Sequence, residues 1–170
     1  HVRSRRQRQM CIRDRSKLVN NYDVEKIIIT WDVSKKTFRN EIYEDYKANR
    51  SSSPDNFKIQ INKLQSLLTK FNLPQVSLEG FEADDVLGSL SKHFNKKNKK
   101  VTIVTGDRDS FQLISSKTHI MYTKRGISDV EIFDSNVFTE KYQINTNQYI
   151  EYFCLLYTSP SPRDTVRSGL

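Results

Sequence analysis

Two short β-branched runs in this chain each end in aspartate, and that pattern leaves few folds open. Val101-Thr102-Ile103-Val104-Thr105 leads into Gly106-Asp107-Arg108-Asp109, and Lys26-Ile27-Ile28-Ile29-Thr30-Trp31 leads into Asp32. Continuous apolar runs of this kind read as buried strands of a parallel sheet. In open α/β sheets, functional groups collect beyond the carboxyl ends of the strands. Between the two runs lies Gly80-Phe81-Glu82-Ala83-Asp84-Asp85-Val86-Leu87, with three carboxylates at the head of an apolar helical pattern. The helix macrodipole accounts for one or two acids at a helix start. It does not account for three of them followed by a second cluster. The expected fold is therefore α/β, with a mainly parallel central sheet and flanking helices. Asp32, Glu82, Asp84, Asp85, Asp107 and Asp109 are expected to converge. Carboxylates in that number repel one another unless cations neutralise them. Hard oxygen donors on an open site suit magnesium or manganese. Taken alone, Asp32 reads as an ordinary turn residue.

The formal charge of +8 would suggest a nucleic-acid binder, but its location weakens that inference. The N-terminal stretch Arg5–Arg15 shows no apolar periodicity, no cap and no turn chemistry. The codons able to encode Met10–Arg15 and those able to encode Cys154–Ser159 are opposite strands of one inverted repeat. That DNA looks like the transposon-end adapter of sequencing libraries. Residues 1–15 and 154–170 are accordingly expected to be translated adapter, flanking a natural segment at 16–153. The tails hold eight basic and two acidic residues, so the body carries 20 basic and 18 acidic, a net of +2. Both cysteines, Cys11 and Cys154, lie in the tails. No disulfide or thiolate metal site is expected in the body. No apolar run approaches a membrane span, and the basic start is followed by no apolar stretch of a signal peptide. A cytoplasmic protein with no membrane partner is expected.

Within the body, Thr37–Arg50 interleaves Arg39, Lys47 and Arg50 with Tyr43 and Tyr46. Lys47 and Arg50 are three apart and would share a helical face. Cations beside aromatics suit a nucleic-acid backbone with stacked bases. Composition alone favours a solvated helix, with Glu41, Glu44 and Asp45 as ion-pair partners. Ser53, Pro54 and Asp55 suit the N-cap, first position and first turn of the next helix. Its apolar stripe is Phe57, Ile61, Leu64, Leu68 and Phe71, and it ends before Pro74. A short strand at Val76–Leu78 leads into the acidic helix, whose core stripe is Val86, Leu87, Leu90 and Phe94. His93, late in that helix, complements the dipole. A short helix over Phe111–Ile114 is expected next, then strand, turn and strand at His119–Thr123, Lys124–Gly126 and Val130–Phe133. Asp134 and Asn145 head two further short helices.

Three stretches together resemble the 5′-nuclease domain of bacterial DNA polymerase I, in the flap endonuclease family with its PIN-like core. They are Trp31-Asp32 with Phe38–Glu41 and Tyr46–Arg50, then Gly80–Leu87, then Thr105–Asp109 with Gln112-Leu113. The resemblance implies a magnesium- or manganese-dependent 5′-3′ exonuclease or flap endonuclease acting on DNA in replication and repair. It implies a two-metal site served by Asp32, Glu82, Asp84, Asp85, Asp107 and Asp109, with Asp107 also counted among the catalytic groups. It places Lys47 and Arg50 in an arch that receives the 5′ end and contacts the scissile phosphate, and Arg39 on DNA. The implied partners are DNA flaps and 5′ ends of duplexes, bound by a monomer whose parent chain can carry a polymerase. Ser110 stands where the family usually has a larger apolar residue. The family's opening strand with its Asp, and its later Gly-Asp-x-Ser-Asp-Asn segment and helical hairpin, have no counterpart in the sequence. A truncated nuclease domain is therefore expected. The alternatives are a PIN-type ribonuclease, which the Lys47–Arg50 motif argues against, and a catalytically inactive nucleic-acid-binding fragment.

Overall fold

The structure is a computed structural model that describes residues 24–33, 37–44, 46, 54–124 and 129–158. The chain divides into two compact units, Val19–Lys92 and His93–Leu170 with the first eighteen residues. Among the described residues, no helix is long and apolar enough to cross a membrane.

In the first unit, β1 (Ile29–Thr30) pairs in parallel with β2 (Gln75–Val76), in the register Ile29 to Gln75 and Thr30 to Val76. The Ile29 N–H donates to the Pro74 carbonyl at 2.9 Å and the Trp31 N–H to the Val76 carbonyl at 3.1 Å. Both strands are shorter than their apolar runs suggest, and β2 begins one residue before the expected Val76. The link between them contains α1 (Phe38–Ile42) and α2 (Asp55–Lys70). Pro54 is the N-cap of α2 rather than its first helical residue. The helix ends in a Schellman turn: Asn72, at φ 53°, sends its N–H to Thr69, and Leu73 sends its N–H back to Leu68. Asparagine tolerates that left-handed conformation, and the proline two residues on cannot extend the helix. Of the apolar stripe of α2, Leu68 is buried, while Phe57 and Phe71 remain exposed.

The helix α3 (Ala83–Lys96) buries Val86 and Ser91 and half-buries Leu87, Leu90 and Phe94. It closes on Asn98, at φ 60°, with the Lys99 N–H returning to Phe94 and the Asn98 N–H to Asn95. The run Asn95–Lys100 is thus helix end and turn, as its polarity predicts.

The second unit is built on β3 (Val101–Thr105), β4 (Thr118–Thr123) and β5 (Val130–Phe133), in the order β3-β4-β5. Strands β3 and β4 are parallel, while β4 and β5 are antiparallel. The expected parallel pairing is present in both units, but the described strands form two small sheets instead of one. A parallel pair needs a crossover. Here a 3-10 helix, Arg108–Leu113, occupies it, starting three residues before the short helix expected at Phe111–Ile114. Helix α4 (Ser135–Tyr142) is capped by Asp134, whose Oδ1 accepts from the N–H groups of Asn136 and Val137 at 2.8 and 2.9 Å. Asn145 caps a second 3-10 turn before α5 (Tyr149–Thr158), which runs without a break across residues 153 and 154.

The core of this unit is aromatic. Phe111, 1% exposed, lies with its ring centroid 4.7 Å from Phe133, 5.5 Å from Tyr122, 5.6 Å from Tyr149 and 5.9 Å from Phe138. Tilted and edge-on rings at these distances add attraction beyond the area they bury. Burial pushes the Tyr149 hydroxyl well above the usual tyrosine range. On β5, Glu131 is held by Lys141 and Lys124, which lower its pKa.

Phe111→Ala should cost about 3–5 kcal/mol, while Phe71→Ala, at a 68% exposed position, should stay within about 0.5 kcal/mol; urea unfolding measures both. Glu131→Gln should lower stability at neutral pH. Because the folded pKa is depressed, the wild-type advantage is complete above the unfolded value of about 4.3. It closes as pH falls through the folded value, so the two thermal-unfolding curves should converge in acid.

Candidate functional site

In the first unit, the acidic side chains gather around the N-terminus of α3. A helix start leaves backbone N–H groups without intrahelical acceptors. Asp32, just past β1, accepts the Ala83 N–H on Oδ1 at 2.6 Å. Asp85 turns back and accepts the Glu82 N–H on Oδ2 at 3.1 Å. Both contacts place negative charge at the positive end of the macrodipole. Asp84, one residue earlier, faces solvent. Gly80, at φ +80°, provides the left-handed turn into this helix, a conformation that costs a residue with a Cβ.

The residue before Asp32 is anchored through Gln75. The Trp31 Nε1 donates to Gln75 Oε1 at 2.9 Å, and Gln75 Nε2 donates to the Gln65 carbonyl and to Thr69 Oγ1. One glutamine thereby joins the end of β1 to α2. Sequence reasoning gave Gln75 no role, because a glutamine beside a strand carries no local signal.

Arg39 makes the second set of contacts with the acidic helix. Its NH1 and NH2 groups donate to Asp85 Oδ2 and Oδ1 at 2.7 and 2.8 Å, a two-pronged ion pair. That hydrogen bonding raises the Arg39 pKa further above its already high value. The guanidinium also lies 4.7 Å from the Phe38 ring centroid, and the Phe38 ring lies 5.5 Å from Phe81. The Phe38 N–H donates to the Gly80 carbonyl at 3.0 Å. Helix α1 stops at Ile42, because Asn40 Nδ2 donates to the Tyr46 carbonyl and the Tyr46 N–H to the Tyr43 carbonyl, folding the chain into a turn. Within Thr37–Arg50, where composition favours a solvated helix, the described helix is α1, which ends at Ile42. Lys47 and Arg50 lie outside the described residues, as does most of the Lys124–Gly126 turn.

In the second unit, Asp107 and Asp109 are exposed immediately beyond β3. The Asp107 N–H donates to Thr105 Oγ1, and Asp107 Oδ1 accepts the Asp109 N–H at 3.0 Å, capping the 3-10 helix. Gly106 admits this turn, since a Cβ there would sit 3.3 Å from Thr123 Oγ1. Ser110, 2% exposed, has its hydroxyl buried without a hydrogen-bond partner. Arg108 lies over the Tyr122 ring at 5.8 Å.

The donor set fits a hard divalent cation in its chemistry: it is carboxylate throughout, with no histidine or thiolate. Among the described residues, no group of three or more His, Cys, Asp or Glu side chains is close enough to hold an ion.

Because Asp107 is a cap, its two roles can be separated. Asp107→Ala should lose about 1 kcal/mol of stability, whereas Asp107→Asn, which keeps a capping oxygen, should unfold within about 0.5 kcal/mol of wild type in urea.

The family model described as "5'-3' exonuclease, N-terminal resolvase-like domain" matches residues 8–143, a span that starts inside the basic N-terminal stretch. A 5'-3' exonuclease of Buchnera aphidicola is 38% identical over 134 residues, covering 79% of this chain and 46% of that protein. DNA polymerase I of Mycobacterium tuberculosis is 38% identical over 129 residues, covering 76% of this chain and 14% of that protein. The chain thus spans about half of the first relative and a small part of the second. In fold it is similar to a bacteriophage T5 5'-exonuclease with bound zinc, at 20% identity and a TM-score of 0.63, covering 82% of this chain and 54% of that one. A T5 flap endonuclease in complex with DNA and metal ions gives 20% identity and a TM-score of 0.61, covering 79% and 52%. With strand-end aspartates and an acidic helix start inside the matched span, the chain belongs to the family of the 5'-3' exonuclease N-terminal, resolvase-like domain.

Proposed function

We propose that this chain serves a divalent-metal-dependent 5′-3′ exonuclease or flap endonuclease that cleaves DNA at 5′ flaps and 5′ ends of duplexes. Its place is in replication and repair, in the cytoplasm. The observation that carries the proposal is the exposed Asp107-Arg108-Asp109 turn just past β3, within a chain of this family. The carboxylates of Asp32, Glu82, Asp84, Asp107 and Asp109 are the proposed ligands, and magnesium or manganese the proposed ions. When bound, such ions neutralise the scissile phosphate and activate water for in-line attack. Lys47 and Arg50 add positive charge where the transition state accumulates negative charge. The Thr105 hydroxyl and the Asp107–Asp109 cap hold the backbone of this turn and the Asp107 carboxylate, so that binding an ion requires little reordering of the turn. The chain acts as a monomer, and the parent protein carries a polymerase or stands alone. Residues 1–15 and 154–170 are translated adapter; source DNA with unrelated codons at both ends would overturn that.

The test is cleavage of a 5′-flap DNA with manganese. Wild type should cut, and Asp107→Asn should be slower by at least roughly a hundredfold at unchanged melting temperature. Equal rates would move the chemistry elsewhere. No cleavage by either, with DNA binding retained, would favour an inactive binding fragment.

A further inference from the structure

We propose that Asp85 and Arg39 act as a positioning pair, with Asp85 anchoring α1 to the N-terminus of α3 instead of holding a metal ion. Both oxygens of Asp85 are engaged: Oδ1 by one prong of the guanidinium at 2.8 Å, Oδ2 by the other at 2.7 Å and by the Glu82 N–H at 3.1 Å. At most one lone pair, on Oδ1, is left for a metal ion, and the guanidinium charge beside it disfavours a second cation there. Arg39 is equally engaged, between Asp85 and the Phe38 ring at 4.7 Å. The Phe38–Phe81 ring contact and the hydrogen bond from the Phe38 N–H to the Gly80 carbonyl fasten the same two segments. Three kinds of contact therefore join α1 to the acidic turn: the forked ion pair, the ring contact and the backbone hydrogen bond. The neighbouring Asp84 is exposed, whereas Asp85 is half-buried. In sequence, α1 immediately precedes Tyr43–Arg50, the stretch with Lys47 and Arg50. The pair sets the point from which that stretch departs, so Arg39 acts on cleavage through α1 and does not touch the phosphate.

The cleavage readout rests on the function proposed above; the other two readouts do not. The experiment is a double-mutant cycle in the full chain with Arg39→Gln, Asp85→Asn and both, plus Arg39→Lys. Each single change should lower the melting temperature by about 4 °C, and the double change no further than the worse single one. On 5′-flap DNA with manganese, kcat should fall roughly tenfold in each single variant and in the double, with KM nearly unchanged. Arg39→Lys should behave as Arg39→Gln, because lysine lacks the fork, whereas a simple phosphate contact would tolerate it. Manganese affinity of Asp85→Asn without DNA, read by electron paramagnetic resonance, should equal that of wild type. A tenfold loss of manganese affinity in Asp85→Asn, effects that multiply in the double variant, or full kcat in Arg39→Lys would each overturn the pair. If wild type cuts no DNA, the functional proposal fails, and the melting cycle and manganese affinity still decide the pair.

Discussion

The exposed N–H groups at the start of α3 are the constraint around which the first unit is arranged. Two carboxylates meet them from different directions. Asp32 arrives from the end of β1 and takes the Ala83 N–H, which fixes strand to helix. Asp85 comes from within the helix, takes the Glu82 N–H, and with its remaining capacity holds Arg39. The acids that a sequence reader sees as one metal-binding cluster therefore also satisfy a helix terminus. The Asp85 charge is shared between the Glu82 N–H and a forked guanidinium, a stronger arrangement than a single-pronged pair. The side chains near it, Gln75 and Trp31 on one side and Phe38 and Phe81 on the other, then have one geometry to satisfy.

The second unit solves a different problem. Its three strands are short, and a small sheet buries little by itself. Phe111, on the crossover between β3 and β4, supplies the missing core by meeting rings from β4, β5, α4 and α5. The crossover that exposes Asp107 and Asp109 thus also carries a fully buried aromatic, Phe111. Phe111 lies one three-residue turn past Arg108, the first residue of this 3-10 helix. Ser110 is the cost of that placement, a buried hydroxyl without a partner beside the ring. Membership of the 5'-3' exonuclease family fits both units, since the matched span runs through each.

Much of this was legible in the residues. The strands before Asp32 and Asp107, the helix headed by the acids, the hairpin of β4 and β5 and the caps at Asp134 and Asn145 all follow from local chemistry, which is period, propensity and capping. The three spaced motifs were enough to suggest the family, because their order is informative even where each is weak. Other features carried no such signal. Composition over Thr37–Arg50 favoured a solvated helix without bounds, and α1 ends at Ile42, where Asn40 reaches the Tyr46 carbonyl. Phe57 and Phe71 belong to a helical stripe but stay exposed, since the stripe's period says which residues align and not how wide a face is covered.

The sequence by itself determined the α/β class, the acidic strand ends and the family, because those depend on residue type and spacing along the chain. Tertiary structure decided the partners. Arg39 and Asp85 are 46 residues apart, and Trp31 and Gln75 are 44 apart. Nothing local distinguishes an arginine that pairs with a carboxylate from one that awaits a phosphate, because both use the same forked charge. Only the packing of α1 against the acidic turn selects between them, by bringing one carboxylate to within hydrogen-bond distance of both prongs.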